Sequence, residues 1–259
     1  LSLFKDSEIV GLSGAAYRLI DVLTTLPFMF AGLILPILTA AWLEKNSSSF
    51  KKVLQKSFDF MAIIAIPLLI GTQFLADPIM IFVAGEDFSD SGLILKILIF
   101  SVAAIFLGTM FTHATIALDK QKKLIGFYAF TSFSSLFAYL YLIPRYSYFG
   151  AAAVTIYSEV LIFIFSAHCV YKYSQFFPSL KVFLKSLIAS LIMGVFLYFL
   201  PAWCLNSLFG VIASLIIASL IYFAALYIIR GIKADELNAI FRKQSKGSVQ
   251  TYDPTSNNF

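Results

Sequence analysis

Charge is what this sequence has least of. Only 13% of its 259 residues are Asp, Glu, Lys or Arg, against roughly 25% in a soluble domain, and that shortfall excludes an ordinary water-soluble fold. Cysteine is nearly absent too. Cys169 and Cys204 stand far apart with no Cys-x-x-Cys pair and no Cys/His spacing, which argues against a disulfide framework or a thiolate metal site. The two histidines, His113 and His168, have no partner at metal-ligand spacing and read as satisfied polar contacts. Also missing are a Gly-rich phosphate loop with a following Lys, His-Glu-x-x-His, Gly-x-Ser-x-Gly and paired carboxylates on one intramembrane face. An ATP-driven pump or an intramembrane hydrolase would need one of these or a partner subunit, so the chain is expected to be no enzyme and to hold no cofactor or metal.

What the sequence has in excess is apolar surface: 60% of its residues are hydrophobic and 17% aromatic. Segments of about 18 to 25 mainly apolar residues fall at 15–43, 58–83, 92–117, 124–143, 149–171, 183–203 and 206–229. Backbone groups in hydrocarbon must be paired within the segment, and these runs are too long and too weakly alternating for barrel strands. The expected fold class is therefore an all-α polytopic membrane helix bundle of about seven transmembrane helices.

The formal charge of +5 does not point to nucleic acid, because the bases lie in short clusters between apolar runs rather than along one face. They alternate. Lys45, Lys51, Lys52 and Lys56 follow the first run; Lys120, Lys122 and Lys123 the third; Lys172, Lys181 and Lys185 the fifth; Arg230, Lys233, Arg242, Lys243 and Lys246 the seventh. The intervening connections hold one base, Arg145, and the acids Glu86, Asp87 and Asp90. By the positive-inside rule the first set faces the cytoplasm, which puts the amino end outside and the carboxyl end inside. An odd number of spans entering from outside implies an earlier span before Leu1, so the chain is expected to be a fragment of a longer protein. The organisation read from this is a five-span lobe over 1–172, an amphipathic elbow plus a two-helix hairpin over 173–229, and a basic cytoplasmic tail over 230–259, helical at first and disordered beyond Gly247.

Ionisable groups inside the runs are the candidate site residues, since an unpaired charge at the bilayer centre costs at least about 2.5 kcal/mol. Arg18 and Asp21 are three residues apart and share a helix face. They read either as a mutual ion pair or as a cation, held by its acid, that meets an anionic head group in a wet cavity. Glu159 has no base within a helical turn and must pair across helices, be protonated or face water. Lys96 lies near the outer end of its run, close enough to snorkel, and Asp59 and Asp77 also lie near run ends. Pro27, Pro36 and Pro67 interrupt the first two runs and read as bends or unwound points, either static kinks or hinges.

Several patterns keep their order over about residues 9–172: Val10-Gly11-Leu12-Ser13-Gly14-Ala15-Ala16-Tyr17-Arg18-Leu19-Ile20-Asp21, Leu26-Pro27, Leu35-Pro36, Ile66-Pro67-Leu68, Gly85-Glu86-Asp87-Phe88, Ala117-Leu118-Asp119-Lys120, and Ile143-Pro144 followed by Phe149-Gly150-Ala151. This set resembles the carboxy-terminal half of bacterial polysaccharide (O-antigen) flippases, within the multidrug/oligosaccharidyl-lipid/polysaccharide exporter superfamily. The resemblance implies the second lobe of a two-lobed inner-membrane exporter, lacking its first helix and carrying an extra hairpin. Its implied substrate is an undecaprenyl-diphosphate-linked oligosaccharide moved to the outer leaflet by alternating access. Its implied partners are membrane lipids and the missing amino-terminal lobe. Arg18 best matches the cationic cavity of such proteins, Lys96 is the other available cation, and the missing lobe would supply most phosphate contacts. Two other classes fit the composition: a proton- or sodium-coupled drug antiporter of the same superfamily using Glu159, and a non-transport membrane protein of polysaccharide assembly. In a cysteine-free background, a membrane-impermeant maleimide added from outside is expected to label a cysteine at Ser89 and to spare one at Ser48; the reverse pattern overturns the orientation.

Overall fold

The computed structural model describes residues 7–231 except Ser89 and Asn206. Among them there is no strand. The helices are α1 (Ser7–Leu43), α2 (Ser47–Ala84), α3 (Ser91–Ala117), α4 (Gln121–Ser174), α5 (Lys181–Tyr198) and α6 (Leu208–Ile228), with short 3-10 turns at Glu86–Phe88 and Ala202–Leu205. All six are long and apolar enough to cross a membrane. The surface helix and polar terminus expected within 230–259 fall almost entirely outside the described residues.

At 54 residues, α4 would stretch about 80 Å as a straight helix, far beyond a hydrocarbon core of about 30 Å. It does not run straight. Ser147 sits at φ 52°, ψ −132°, and the chain folds back there. Tyr139 Oη meets Thr155 Oγ1 at 3.2 Å, Tyr157 Oη donates to Ser134 Oγ at 3.2 Å, and the rings of Phe127 and Phe165 stack at 4.7 Å. Each of these pairs is centred on residues 145–147, the signature of two antiparallel limbs, 121–146 and 148–174. With the limbs counted separately the described chain makes seven crossings, in agreement with the seven apolar runs. The reversal falls three residues after Pro144, inside an otherwise helical stretch, rather than at the proline. Gly150 permits it: a Cβ there would lie 2.5 Å from the carbonyl oxygen of Leu142, so only a residue without a side chain lets the second limb start against the first.

α3 occupies the centre, packed on α1, α2 and α4. It is apolar on every side, as a helix surrounded by helices should be. Leu95, Leu98, Val102, Phe106, Met110 and Phe111 are all buried, and the Phe111 ring touches those of Phe58, Phe163 and Phe176, tying α2, the second limb of α4 and the elbow to one core. α5 and α6 form a second cluster on the other face of α2, with Leu75, Met193, Leu197, Ala218, Tyr222 and Leu226 buried together.

The basic connections gather at one end of the bundle. The ammonium groups of Lys120 and Lys123 lie over the Tyr173 ring, Gln55 bonds to both backbone groups of Ser179, and Lys185 donates to the Arg230 carbonyl at 2.8 Å. At the other end, Ser91 Oγ donates to the Leu12 carbonyl at 2.8 Å. Cys169 and Cys204 are both free, as expected.

The helical assignment of α1 runs unbroken through Pro27 and Pro36, and that of α2 through Pro67 and Pro78. Of the two outcomes expected at Pro27, Pro36 and Pro67, a bend or an unwound point, the unwound point is not found; proline removes a single hydrogen bond, and neighbouring elements can supply another. Gly150→Ala is expected to destabilise the bundle by about 1–3 kcal/mol through overpacking, whereas Gly126→Ala, with no atom within 4 Å of its Cβ position, should not; thermal unfolding in detergent measures both.

Candidate functional site

Four polar or open places stand out, and the sequence pointed to three of them. Arg18 and Asp21 lie on α1, and both side chains are open in this chain. They do not pair with each other; an ion pair is found instead at Lys96–Asp77. A base that precedes an acid at this spacing is in the weaker of the two orders on a helix, and an open face offers little gain from pairing. Asp21 instead uses its carbonyl, which accepts from Thr24 and Thr25. The next side chains along, Leu19 and Leu23, turn inward.

Those two leucines form one wall of an apolar cavity of about 330 Å³. Its other walls are Ile64, Leu68, Gly71 and Leu75 of α2, Met193 and Leu197 of α5, and Leu215 and Phe223 of α6. Its few polar side chains are Thr72, Ser219 and Tyr222, and Thr72 and Ser219 spend their hydroxyl protons on their own helices. What remains is a dry surface suited to a hydrocarbon chain, at the lower end of the usual size range of ligand pockets. Sequence reasoning missed it, since it needs α1, α2 and the hairpin brought together.

Lys96, expected to snorkel and to be the other available cation, has a partner. Its Nζ lies 2.6 Å from Asp77 Oδ2, while Gln73 Nε2 donates to the Lys96 carbonyl at 3.0 Å. The close approach of α2 and α3 behind this pair depends on Gly92, where a Cβ would sit 2.8 Å from Asp77 Cα. A cation held this way is less available to a ligand than Arg18. Asp59 accepts from Gln55 Nε2 at 2.8 Å, and His113 Nδ1 lies 2.9 Å from the Thr109 carbonyl, the ordinary contact expected of it.

Glu159 is half-buried on the second limb of α4 with no basic partner among the described residues. One helical turn before it, Thr155 collects hydroxyls. Tyr17 and Tyr139 both reach Thr155 Oγ1, at 2.9 and 3.2 Å, while Thr155 donates to the Ala151 carbonyl, so the two phenols act as donors. Just beyond, Tyr128, Thr131, Ser132, Ser135, Tyr139 and Ser158 line a cavity of about 400 Å³ between the limbs. Thr131 Oγ1 and Ser135 Oγ are buried there without a protein partner. The run Thr131-Ser132-Phe133-Ser134-Ser135 was the available signal, four hydroxyls in five residues of an otherwise apolar span.

These features define an all-α membrane bundle with a dry cavity on one side of α1, open charge on the other and a hydroxyl-lined pocket in the α4 hairpin. No protein-family model and no curated protein matches the sequence. Among solved structures, the chain is similar to the lipid II flippase MurJ in its inward closed conformation, with a TM-score of 0.67 and 18% identity over 95% of this chain. The chain spans about half of that protein, 49% of its length. At this identity the likeness is one of fold alone, and it does not single out the O-antigen branch.

Because the Lys96–Asp77 pair is half-exposed on its acidic side, Lys96→Ala is expected to cost less than about 1 kcal/mol of stability. A loss of several kcal/mol in chemical unfolding would mean that the pair is desolvated in the assembled protein.

Proposed function

We propose that this chain is part of a flippase that carries a lipid-linked oligosaccharide across the cytoplasmic membrane by alternating access, and that it is a carrier rather than an enzyme. The observation that carries this reading is the fold shared with half of a lipid II flippase. The layout of α1 supports it. Arg18 stands one residue from Leu19, at the wall of a dry cavity, so a cation and an apolar surface adjoin on one helical turn. A ligand that pairs a phosphate with a long hydrocarbon matches that combination, with Arg18 holding the anion through forked N–H donors and Asp21 orienting it. Undecaprenyl-diphosphate-linked oligosaccharide of polysaccharide biosynthesis is the substrate we assign, with the end that carries Lys45, Lys120 and Lys172 facing the cytoplasm of a bacterial inner membrane. An amino-terminal lobe, outside this chain, completes the cavity.

Cells lacking the gene are the test, through mass spectrometry of undecaprenyl-linked oligosaccharides and assay of surface polysaccharide. The expected result is accumulation of complete lipid-linked units with loss of surface polymer; unchanged intermediates and polymer overturn the reading. In complementation, Arg18→Ala should impair flipping by at least about tenfold, the loss of one charge-assisted contact of about 1.5–3 kcal/mol, whereas Lys96→Ala should have little effect. Equal effects would remove Arg18 from the site.

The half-buried Glu159 beside a hydroxyl pocket favours one competing reading, proton- or sodium-coupled antiport. Flux that depends on pH or sodium and disappears in Glu159→Gln would support antiport over the flippase; flux indifferent to that change would count against it.

A further inference from the structure

Proline at position 67 leaves the carbonyl of Ile63, four residues back, without its helical amide. In a membrane-spanning helix that oxygen must find another donor. It finds one 159 residues further along the chain: Tyr222 Oη of α6 donates to the Ile63 carbonyl at 2.7 Å. The tyrosine is in turn bonded to Ser186 of α5, with 2.6 Å between the two hydroxyl oxygens. Ser186 Oγ also lies 3.3 Å from the carbonyl of Ala62. Tyr222 spends its single proton on Ile63, so Ser186 is the donor within the pair. Tyr222 and Ser186 are both fully buried.

The same hairpin grips α2 on the far side of the proline. A Cβ at Gly194 of α5 would lie 3.0 Å from Ile70 Cγ2 and 3.3 Å from Phe74 Cε2, an approach that glycine allows. The contacts Gln55–Ser179, Ala62–Ser186 and Ile70–Gly194 all share a sequence offset of 124. α5 therefore lies parallel to α2 in constant register, from the basic end to well past Pro67, and contains no proline of its own.

We propose that the α5–α6 hairpin is a splint for the interrupted α2: α5 braces it on both sides of Pro67, and Tyr222, positioned by Ser186, supplies the hydrogen bond that Pro67 removes. Pro67 is then a fixed point while the hairpin is seated and a hinge when it is not. Residues of the hairpin so placed act on α2 through its backbone, and they need no contact with a transported molecule.

The test is a double-mutant cycle on the intact protein in detergent, read by thermal unfolding. Alanine at position 67 restores an amide to Ile63, so the Tyr222 hydroxyl should lose its special value. Tyr222→Phe is expected to lower the unfolding temperature by about 2–4 °C in the presence of Pro67 and by less than half as much in Pro67→Ala. Equal shifts in both backgrounds overturn the proposal. Hydrogen exchange gives a second measurement that does not depend on Pro67→Ala accumulating. Tyr222→Phe should speed exchange of the amides just after Pro67 in α2, and faster exchange confined to α5 and α6, with α2 unchanged, also overturns it.

Discussion

Every backbone amide and carbonyl in a bilayer needs a partner from the protein, and that requirement shapes the whole chain. It forces helices where the composition gives only apolar runs. Where it is locally broken it also dictates which elements must touch. Pro67 opens a gap in α2, and the chain closes it with a tyrosine from its last described helix. Ser147 reverses α4, and the limbs on either side are laced by hydroxyl contacts and stacked rings. At Pro67 a polar side chain inside an apolar helix is explained by the backbone it serves; at Ser147 the polar side chains pair with one another across the two limbs.

Much of the fold was legible in the sequence. The number of crossings followed from segment length, and their alternation followed from Lys and Arg; the basic clusters do gather at one end of the bundle. What was not legible depended on contacts between distant positions. The prolines pointed to breaks, yet α2 runs through Pro67, since the compensating donor is 159 residues away and leaves no local trace. Lys96 read as a snorkelling base because its acid, Asp77, belongs to the preceding helix and meets it only after the turn at Gly85 brings the two together. The reversal of α4 was placed correctly between the fourth and fifth runs, but its single-residue sharpness comes from the fit of Gly150 against Leu142.

The candidate site divides in the same way. Arg18, Asp21 and Glu159 were visible as charges in apolar segments, and the structure leaves all three without an ion-pair partner among the described residues. The dry cavity beside Leu19 and Leu23 was invisible, because its walls come from five helices. Charge and dryness adjoin on α1, at Arg18 and Leu19, and on α3, where Lys96 follows the cavity residue Leu95 but is held by Asp77. α1 thus offers a cation without an ion-pair partner among the described residues next to a cavity wall, and it has one of the most open faces in this chain.

The reversal at Ser147 bears on how the protein is made. A span with a loop behind it can cross the bilayer and wait while the next is synthesised. The limbs of α4 have one residue between them, so neither can settle without the other, and Tyr139, Ser134 and Phe127 find their partners only when both are present. The polar side chains of either limb gain their partners only once both limbs are in the bilayer, so this stretch of 54 residues counts as two spans that complete each other.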